Sequence, residues 1–324
     1  MILRTAAPLL AAAALMIGMV AARAVERRAS PVSADNAPSP AKVALGRRLF
    51  YDGDLSIDGS MSCATCHLQH RGFAEGQRSH PGVTGEPGRR NVPGLANVAW
   101  RKSYTWGDAT IRTLEAQAIV PLTGEHPIEM GMKGQEAELA RRLGRNVCYK
   151  RLFRAAFPQR EGRIDFATVT QALAAFQRSL VSTHSPADRF AAGDAKALSA
   201  QAQAGFTRFK AHCASCHGGP DFTDDRFHRL ATDDPRDRGL GEISGRATDD
   251  GKFRTPGLRN IAVAAPYFHD GASPTLEAAI RRHRAITLTQ ADEAALIAYL
   301  EALTDETFLT DPAFAYPDGP CEAG

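Results

Sequence analysis

The chain has 324 residues, 44% hydrophobic and 23% charged, with a formal net charge of +3. Removing Arg4 and Arg23 of the N-terminal segment from the 39 Lys and Arg leaves 37 basic against 36 acidic residues, a balance that excludes nucleic acid as a partner. A mature length of about 300 residues is enough for two domains.

In chain order, a basic start (Arg4), an apolar run from Ala6 to Val20 and the small residues Ala22-Arg23-Ala24 form the pattern of a cleavable secretory signal, residues 1–24, with the mature chain beginning near Val25. The run is short and alanine-rich for a membrane span, and an uncleaved anchor is the lesser alternative. No later stretch approaches a span, so the expectation is a soluble periplasmic protein without stable membrane association once the signal is cut. Ser30 to Pro40 reads as an extended, mobile leader. Ala44 to Phe50 then reads as a helix in which Gly46 is followed four positions later by Phe50 on the same face.

After a loop from Tyr51 to Ser62 comes Cys63-Ala64-Thr65-Cys66-His67. The same pattern returns as Cys213-Ala214-Ser215-Cys216-His217, directly after a second helix with Gly205 and Phe209 in the same relation. Two cysteines at this spacing can form thioethers to the two vinyl groups of one porphyrin, and the adjacent histidine reaches the iron: this is the attachment sequence of a c-type haem. A redox dithiol or half of a zinc site needs no histidine after the second cysteine in both copies. Such attachment takes place outside the cytoplasm, in keeping with the signal. The chain therefore reads as two cytochrome-like units, 25–190 and 191–324, mostly α with long loops and little β, joined by a turn-rich linker from Ser185 to Asp194.

Further helices are expected from Asp165, capping a stripe of Phe166, Val169, Leu173, Phe176 and Leu180, from Ser199 before the second motif, and over Ala291 to Leu303 with Leu296, Tyr299, Leu300 and Leu303 inward. Ser273-Pro274 is a helix start before Leu276, Ala279, Ile280 and His283, which share one face. Trp100 reads as core.

Function depends on the sixth position of each iron, since two strong protein ligands suit electron transfer and an open position suits peroxide. Beyond the signal the methionines are Met61, Met130 and Met132, all in the first half. The second unit offers His228, His269 and His283, of which His283 has the best pattern for a ligand, with a partly buried histidine as the plain alternative. Cys148 and Cys321 could pair in an oxidising compartment or remain two thiols. Arg281, Arg282 and Arg284 read as a solvated face, with haem propionates or a docking rim as the alternative.

The segment Gly257-Leu258-Arg259-Asn260-Ile261-Ala262-Val263-Ala264-Ala265-Pro266-Tyr267-Phe268-His269-Asp270-Gly271, with Thr275-Leu276-Glu277, resembles the second domain of the bacterial dihaem cytochrome c peroxidase and MauG family. Arg90-Asn91-Val92-Pro93, Leu114-Glu115-Ala116-Gln117 and Pro127-Ile128-Glu129-Met130-Gly131 are similar to its first domain. The resemblance implies two covalent haem c groups, a peroxide-reactive one on Cys63, Cys66 and His67 and an electron-transfer one on Cys213, Cys216 and His217. It implies Glu129 as the distal carboxylate that moves a proton between the two peroxide oxygens, with a surface or capping glutamate as the alternative. It further implies Gln117 and Pro121 in the distal pocket, Trp106 between the haems, and a calcium ion on Asn91 and the carbonyls of Ala264 and Pro266. His80 lies in the loop that gives some relatives a removable iron ligand, although its spacing here matches poorly.

Two departures qualify the resemblance. The stretches Trp106 to Gln117 and Pro121 to Glu129 differ in length from ordinary peroxidases, and Pro121 to Met130 looks more like MauG-like enzymes associated with methanobactin copper proteins. The place of the axial methionine, tyrosine in MauG, is taken by His283, and a second imidazole lowers haem potential where a thioether raises it. The implied activity is reduction of hydrogen peroxide with a small redox protein as donor. The MauG-like alternative is a high-valent dihaem state that oxidises a Trp or Tyr of a partner protein, and a third reading is a non-catalytic dihaem electron carrier.

Overall fold

The computed structural model describes residues 36–230 and 236–317. The expected signal segment 1–24 and Cys321 lie outside them. Helices are α1 (Pro40–Phe50), α2 (Cys63–Cys66), α3 (Leu114–Thr123), α4 (Glu136–Arg145), α5 (Val147–Ala156), α6 (Phe166–Ser179), α7 (Pro186–Ala191), α8 (Ala200–His212), α9 (Leu240–Ser244), α10 (Leu276–Arg282), α11 (Gln290–Glu301) and α12 (Glu306–Thr310). The strands β1 (Phe227–Arg229) and β2 (Lys252–Arg254) pair antiparallel, with Phe227 opposite Arg254. The mostly α architecture is the expected one, with long loops between helices.

Two apolar cores are built by the same device. A Cβ on Gly46 would stand 1.9 Å from the Ala172 carbonyl oxygen of α6, and one on Gly205 would stand 1.9 Å from that of Ala295 in α11. Glycine thus lets α1 cross α6, and α8 cross α11, at backbone contact. Four residues on, Phe50 packs on Phe73 and Phe176 at ring-centre distances of 5.9 and 5.2 Å, while Phe209 packs on Phe222 and Tyr299 at 5.9 and 5.2 Å. The helix–glycine–phenylalanine repeat legible in the sequence is therefore one crossing made twice.

Gly205→Ala tests that crossing. Alanine is the better helix former by about 1 kcal/mol. Relieving a Cβ that would stand only 1.9 Å from the Ala295 carbonyl oxygen means parting two helix backbones, which costs more, so a net loss of about 1–3 kcal/mol is expected. It is read as a lower denaturant midpoint of the holoprotein at unchanged slope.

Asp165 and Ser199 cap α6 and α8, their side chains accepting from Thr168 and Ala202 backbone N–H groups. Leu296, Tyr299, Leu300 and Leu303 are buried in the second core. Three local expectations are corrected. The described end of the leader is docked: Asn36 is buried, donates to the Gln171 carbonyl (3.1 Å) and accepts from Lys42 Nζ (3.0 Å). The linker holds helix α7, because Ser185 caps it, Pro186 opens it and Asp188 closes a capping box; Asp188 also takes both Arg259 Nη groups at 2.8 and 2.9 Å. Trp100 is half-buried. At the far end, α12 returns to the first core, where Phe308 and Leu309 are buried and Phe308 meets the Phe73 ring at 5.7 Å. Cys148 is disulfide-bonded.

Candidate active site

Each Cys-x-x-Cys-His motif presents its histidine in one fixed tautomer. His67 Nδ1 donates to the Phe73 carbonyl at 2.7 Å and His217 Nδ1 to the Phe222 carbonyl at 3.1 Å. A carbonyl only accepts, so Nδ1 carries the proton and Nε2 keeps its lone pair. Burial pushes both imidazoles down to about 4, which keeps them neutral ligands. Burial also pushes the Cys63 and Cys66 thiols up to about 12 and that of Cys213 to about 11, as expected for sulfurs lining an apolar seat. The donor set fits covalent haem at both motifs.

In the second seat the His283 ring faces His217 at 6.4 Å between ring centres. An iron–imidazole bond is about 2 Å, and each ring centre lies about 1 Å behind its nitrogen. Two imidazoles on opposite sides of one iron therefore have centres about 6 Å apart. His283 Nδ1 donates to the Ala279 carbonyl at 2.8 Å, which again leaves Nε2 as the metal-facing atom. Leu276, Ala279, Ile280 and His283 all line the cavity of about 250 Å³ that Cys213, Cys216 and His217 also line. The helix carrying them begins at Leu276 and is capped by Thr275, two residues after the expected Ser273-Pro274 start. His228 instead bonds Asp224 at 2.8 Å, and His269 lies stacked on Phe253 at 3.4 Å. Arg282 is not solvated as expected: it is half-buried, grips Asp270 with two bonds of 2.7 and 2.8 Å and covers the Phe268 ring. Arg281 is exposed and pairs with Glu293.

The first seat is built differently. The backbone around Glu129 is clamped by three segments: Val83 N–H donates to the Glu129 carbonyl (2.8 Å), Met130 N–H to that of Pro121 (3.0 Å), and Ile57 N–H to that of Met130 (2.9 Å). The Glu129 carboxyl is raised above the ordinary glutamate range by burial, opposed by His80. The charges of Glu75 and Glu129 add to burial in raising the Cys66 thiol. Gln117 and Pro121 are half-buried, four residues apart and so on one face of α3. Met130 and Met132 are buried within the first apolar core, and His80 Nδ1 is bonded to Glu75 Oε1 at 2.5 Å.

Trp106 lines the cavity of the second seat. Its Nε1 donates to the Asn91 carbonyl (2.8 Å), its own carbonyl accepts from Arg254 N–H (2.8 Å), and Asn91 N–H donates to the His269 carbonyl (2.7 Å). Trp106 is thus tied to the first half through its indole and to the second through its backbone. Asn91, Ala264 and Pro266 line the same cavity, and Asn91 Nδ2 donates to the Gln77 carbonyl (3.0 Å), so its Oδ1 remains as an acceptor. Two features escaped the sequence. Glu75 is buried beside the first seat, and the nearly buried Arg101 and Arg254 share Asp225 at 4.0 and 3.4 Å in the wall of the second. Neither spacing nor periodicity separates such residues from the chain's many exposed charges.

An all-helical pair of crossings, each presenting a Cys-x-x-Cys-His seat, defines a dihaem c-type cytochrome. The family model for di-haem cytochrome c peroxidase matches residues 40–196. The chain is 37% identical to the methylamine utilization protein MauG of Methylorubrum extorquens, over 84% of this chain and 80% of the relative. It is 33% identical to cytochrome-c peroxidase IdrP1 of Denitromonas iodatirespirans, over 87% and 85%. A crystal structure of a MauG-like protein associated with microbial copper homeostasis superposes with a TM-score of 0.84 at 36% identity, covering 90% of this chain and 99% of that one. The chain belongs to the di-haem cytochrome c peroxidase and MauG family, and is a haem-dependent peroxidase with two haem c groups.

Proposed function

We propose that the chain couples reduction of hydrogen peroxide at its N-terminal haem seat to oxidation of a Trp or Tyr side chain on a partner protein, in the periplasm. The observation that carries this reading is the His217–His283 pair, 6.4 Å apart across the second seat. Haem, when bound, supplies an iron able to accept oxidising equivalents from peroxide, at a potential set by its axial ligands. Two imidazoles stabilise the oxidised iron where a thioether would favour the reduced one. Such a seat suits oxidation of a partner better than waiting, reduced, for peroxide.

The roles of the chain's own residues follow from their places. His67, with Nδ1 bonded to the Phe73 carbonyl, would hold the first haem iron through Nε2. Glu129, clamped by its backbone and left without a side-chain hydrogen bond among the described residues, takes the proton from the near peroxide oxygen and returns it to the far one, so that water can leave. Gln117 and Pro121 shape the space around it. Trp106, polarisable and bonded to both halves, is the electron relay between the seats. Asn91 Oδ1 with the carbonyls of Ala264 and Pro266 forms an oxygen-only set suited to calcium. The units 25–190 and 191–324 serve as the peroxidatic and electron-transfer domains, with α12 of the second packed into the core of the first. The N-terminal signal pattern supports the periplasmic setting, and no helix among the described residues is long and apolar enough to cross a membrane.

A second reading, direct turnover of a small reduced cytochrome, is favoured by relatives that are cytochrome c peroxidases, such as IdrP1. The non-catalytic carrier is disfavoured, because Met130 and Met132 are packed in the core and His80 is bonded to Glu75. One experiment separates the readings: stoichiometric peroxide is added to the holoprotein with and without reduced cytochrome c. A long-lived oxidised state that reduced cytochrome discharges slowly supports partner oxidation, and rapid cytochrome turnover overturns it in favour of the second reading. Two low-spin haems inert to peroxide would leave the carrier.

A further inference from the structure

Glu75 takes no part in the chemistry above, yet it is 2% exposed. Its Oε1 accepts from His80 Nδ1 at 2.5 Å, and its Oε2 is buried with no hydrogen-bond partner among the described residues. An isolated buried carboxylate is costly, and an orphaned oxygen on one calls for a proton or a water molecule. In either case the pair holds an exchangeable proton. The His80 side chain is 20% exposed, so the imidazole stands between that buried acid and solvent. The loop that carries it is closed by Gly88 N–H donating to the His80 carbonyl and is sewn to the distal segment: Val83 N–H donates to the Glu129 carbonyl, and a Cβ on Gly82 would lie 1.8 Å from the Ile128 carbonyl oxygen. The Glu75–His80 pair is thus joined to a loop whose residues Gly82 and Val83 lie against the backbone of Ile128 and Glu129.

Stoichiometry gives this cluster a task. Reduction of peroxide consumes two electrons and two protons and yields two waters. The Glu129 transfer only moves a proton from one peroxide oxygen to the other and takes none from solvent. The electrons come from the partner side chain or a reduced donor protein, whose own protons are released far from this pocket. Two protons per turnover must therefore reach the first seat from solvent. We propose that His80, held by Glu75, is the route by which solvent protons reach Glu129. Glu75 is a positioning residue that fixes His80 through Nδ1 and leaves Nε2 as the exchanging nitrogen.

The inference rests on the peroxidase reading with Glu129 as base, and the test keeps the two apart. In the holoprotein, Glu75→Gln and His80→Gln are each expected to lower kcat roughly tenfold or more while kcat/KM for peroxide stays within about twofold, because the first proton transfer is internal. In the ferrous carbonyl form, ¹⁵N NMR is expected to show a hydrogen-bonded His80 Nδ1 proton that disappears in Glu75→Gln and persists in Glu129→Gln. Unchanged kcat in both the Glu75 and His80 variants, or equal losses in kcat and kcat/KM, overturns the route. So does a His80 Nδ1 signal indifferent to Glu75→Gln. A Glu129→Gln variant with unaltered kcat/KM overturns the base assignment instead, and with it the end point of the route.

Discussion

Glu129→Gln is expected to lower kcat/KM for peroxide by roughly 10²- to 10⁴-fold, the range that a positioned acid–base group contributes. Glutamine keeps the size of the side chain and the backbone clamp from Val83, Pro121 and Ile57, but it cannot accept and return a proton. The haem absorption spectrum and thermal midpoint should stay near those of the parent, which separates a chemical loss from a folding one. The pH dependence gives a second readout. The base acts only as carboxylate, and burial has raised the Glu129 pKa, so the parent loses activity as pH falls through that raised value, at a higher pH than an ordinary glutamate would impose. The variant should lack that limb. Stopped-flow reaction of the ferric protein with peroxide measures both, and an equal rate in parent and variant would remove Glu129 as the base.

His283→Gly should abolish the low-spin ferric EPR signal of the second haem, because the ring that faces His217 at 6.4 Å is gone. The helix itself should survive, since His283 stands just past the end of α10 and only its Nδ1 bond to the Ala279 carbonyl is lost. His283→Met makes the sharper comparison. A thioether should raise the potential of this haem by on the order of 0.1 V or more, within the ~0.8 V that axial ligands span. Oxidation of a partner side chain should fall accordingly, and turnover of reduced cytochrome c should rise. Persistence of the low-spin signal in His283→Gly would mean that another group holds the iron.

Local and regular features were legible in the sequence. Both haem motifs depend on spacing within five residues, and the inward face of Leu276, Ala279, Ile280 and His283 is one helical period repeated. Ser199 and Asp165 cap their helices as their types suggest. The failures have two physical sources. Ser185 to Asp194 mixes turn and helix-start residues, and the local cap of Ser185 and Asp188 is joined by the Asp188–Arg259 pair, 71 residues apart in sequence, which spacing does not show. Asn36, read as part of a loose leader, is held by Gln171, 135 residues away. Glu75 is the same problem inside the site: its burial is imposed by the packing around it. The opposition of His283 to His217 lay between the two cases. The periodicity selected the residue, and only the fold set its distance.

The return of α12 has a consequence for how the protein is made. Phe308 packs on Phe73, whose carbonyl fixes His67, and Gln69 Nε2 donates to the Asp311 carbonyl at 2.8 Å. Chains are synthesised from the N-terminus, so the first haem motif is made long before the helix that packs on its core. The core behind the first motif is therefore completed only after the second motif has been made.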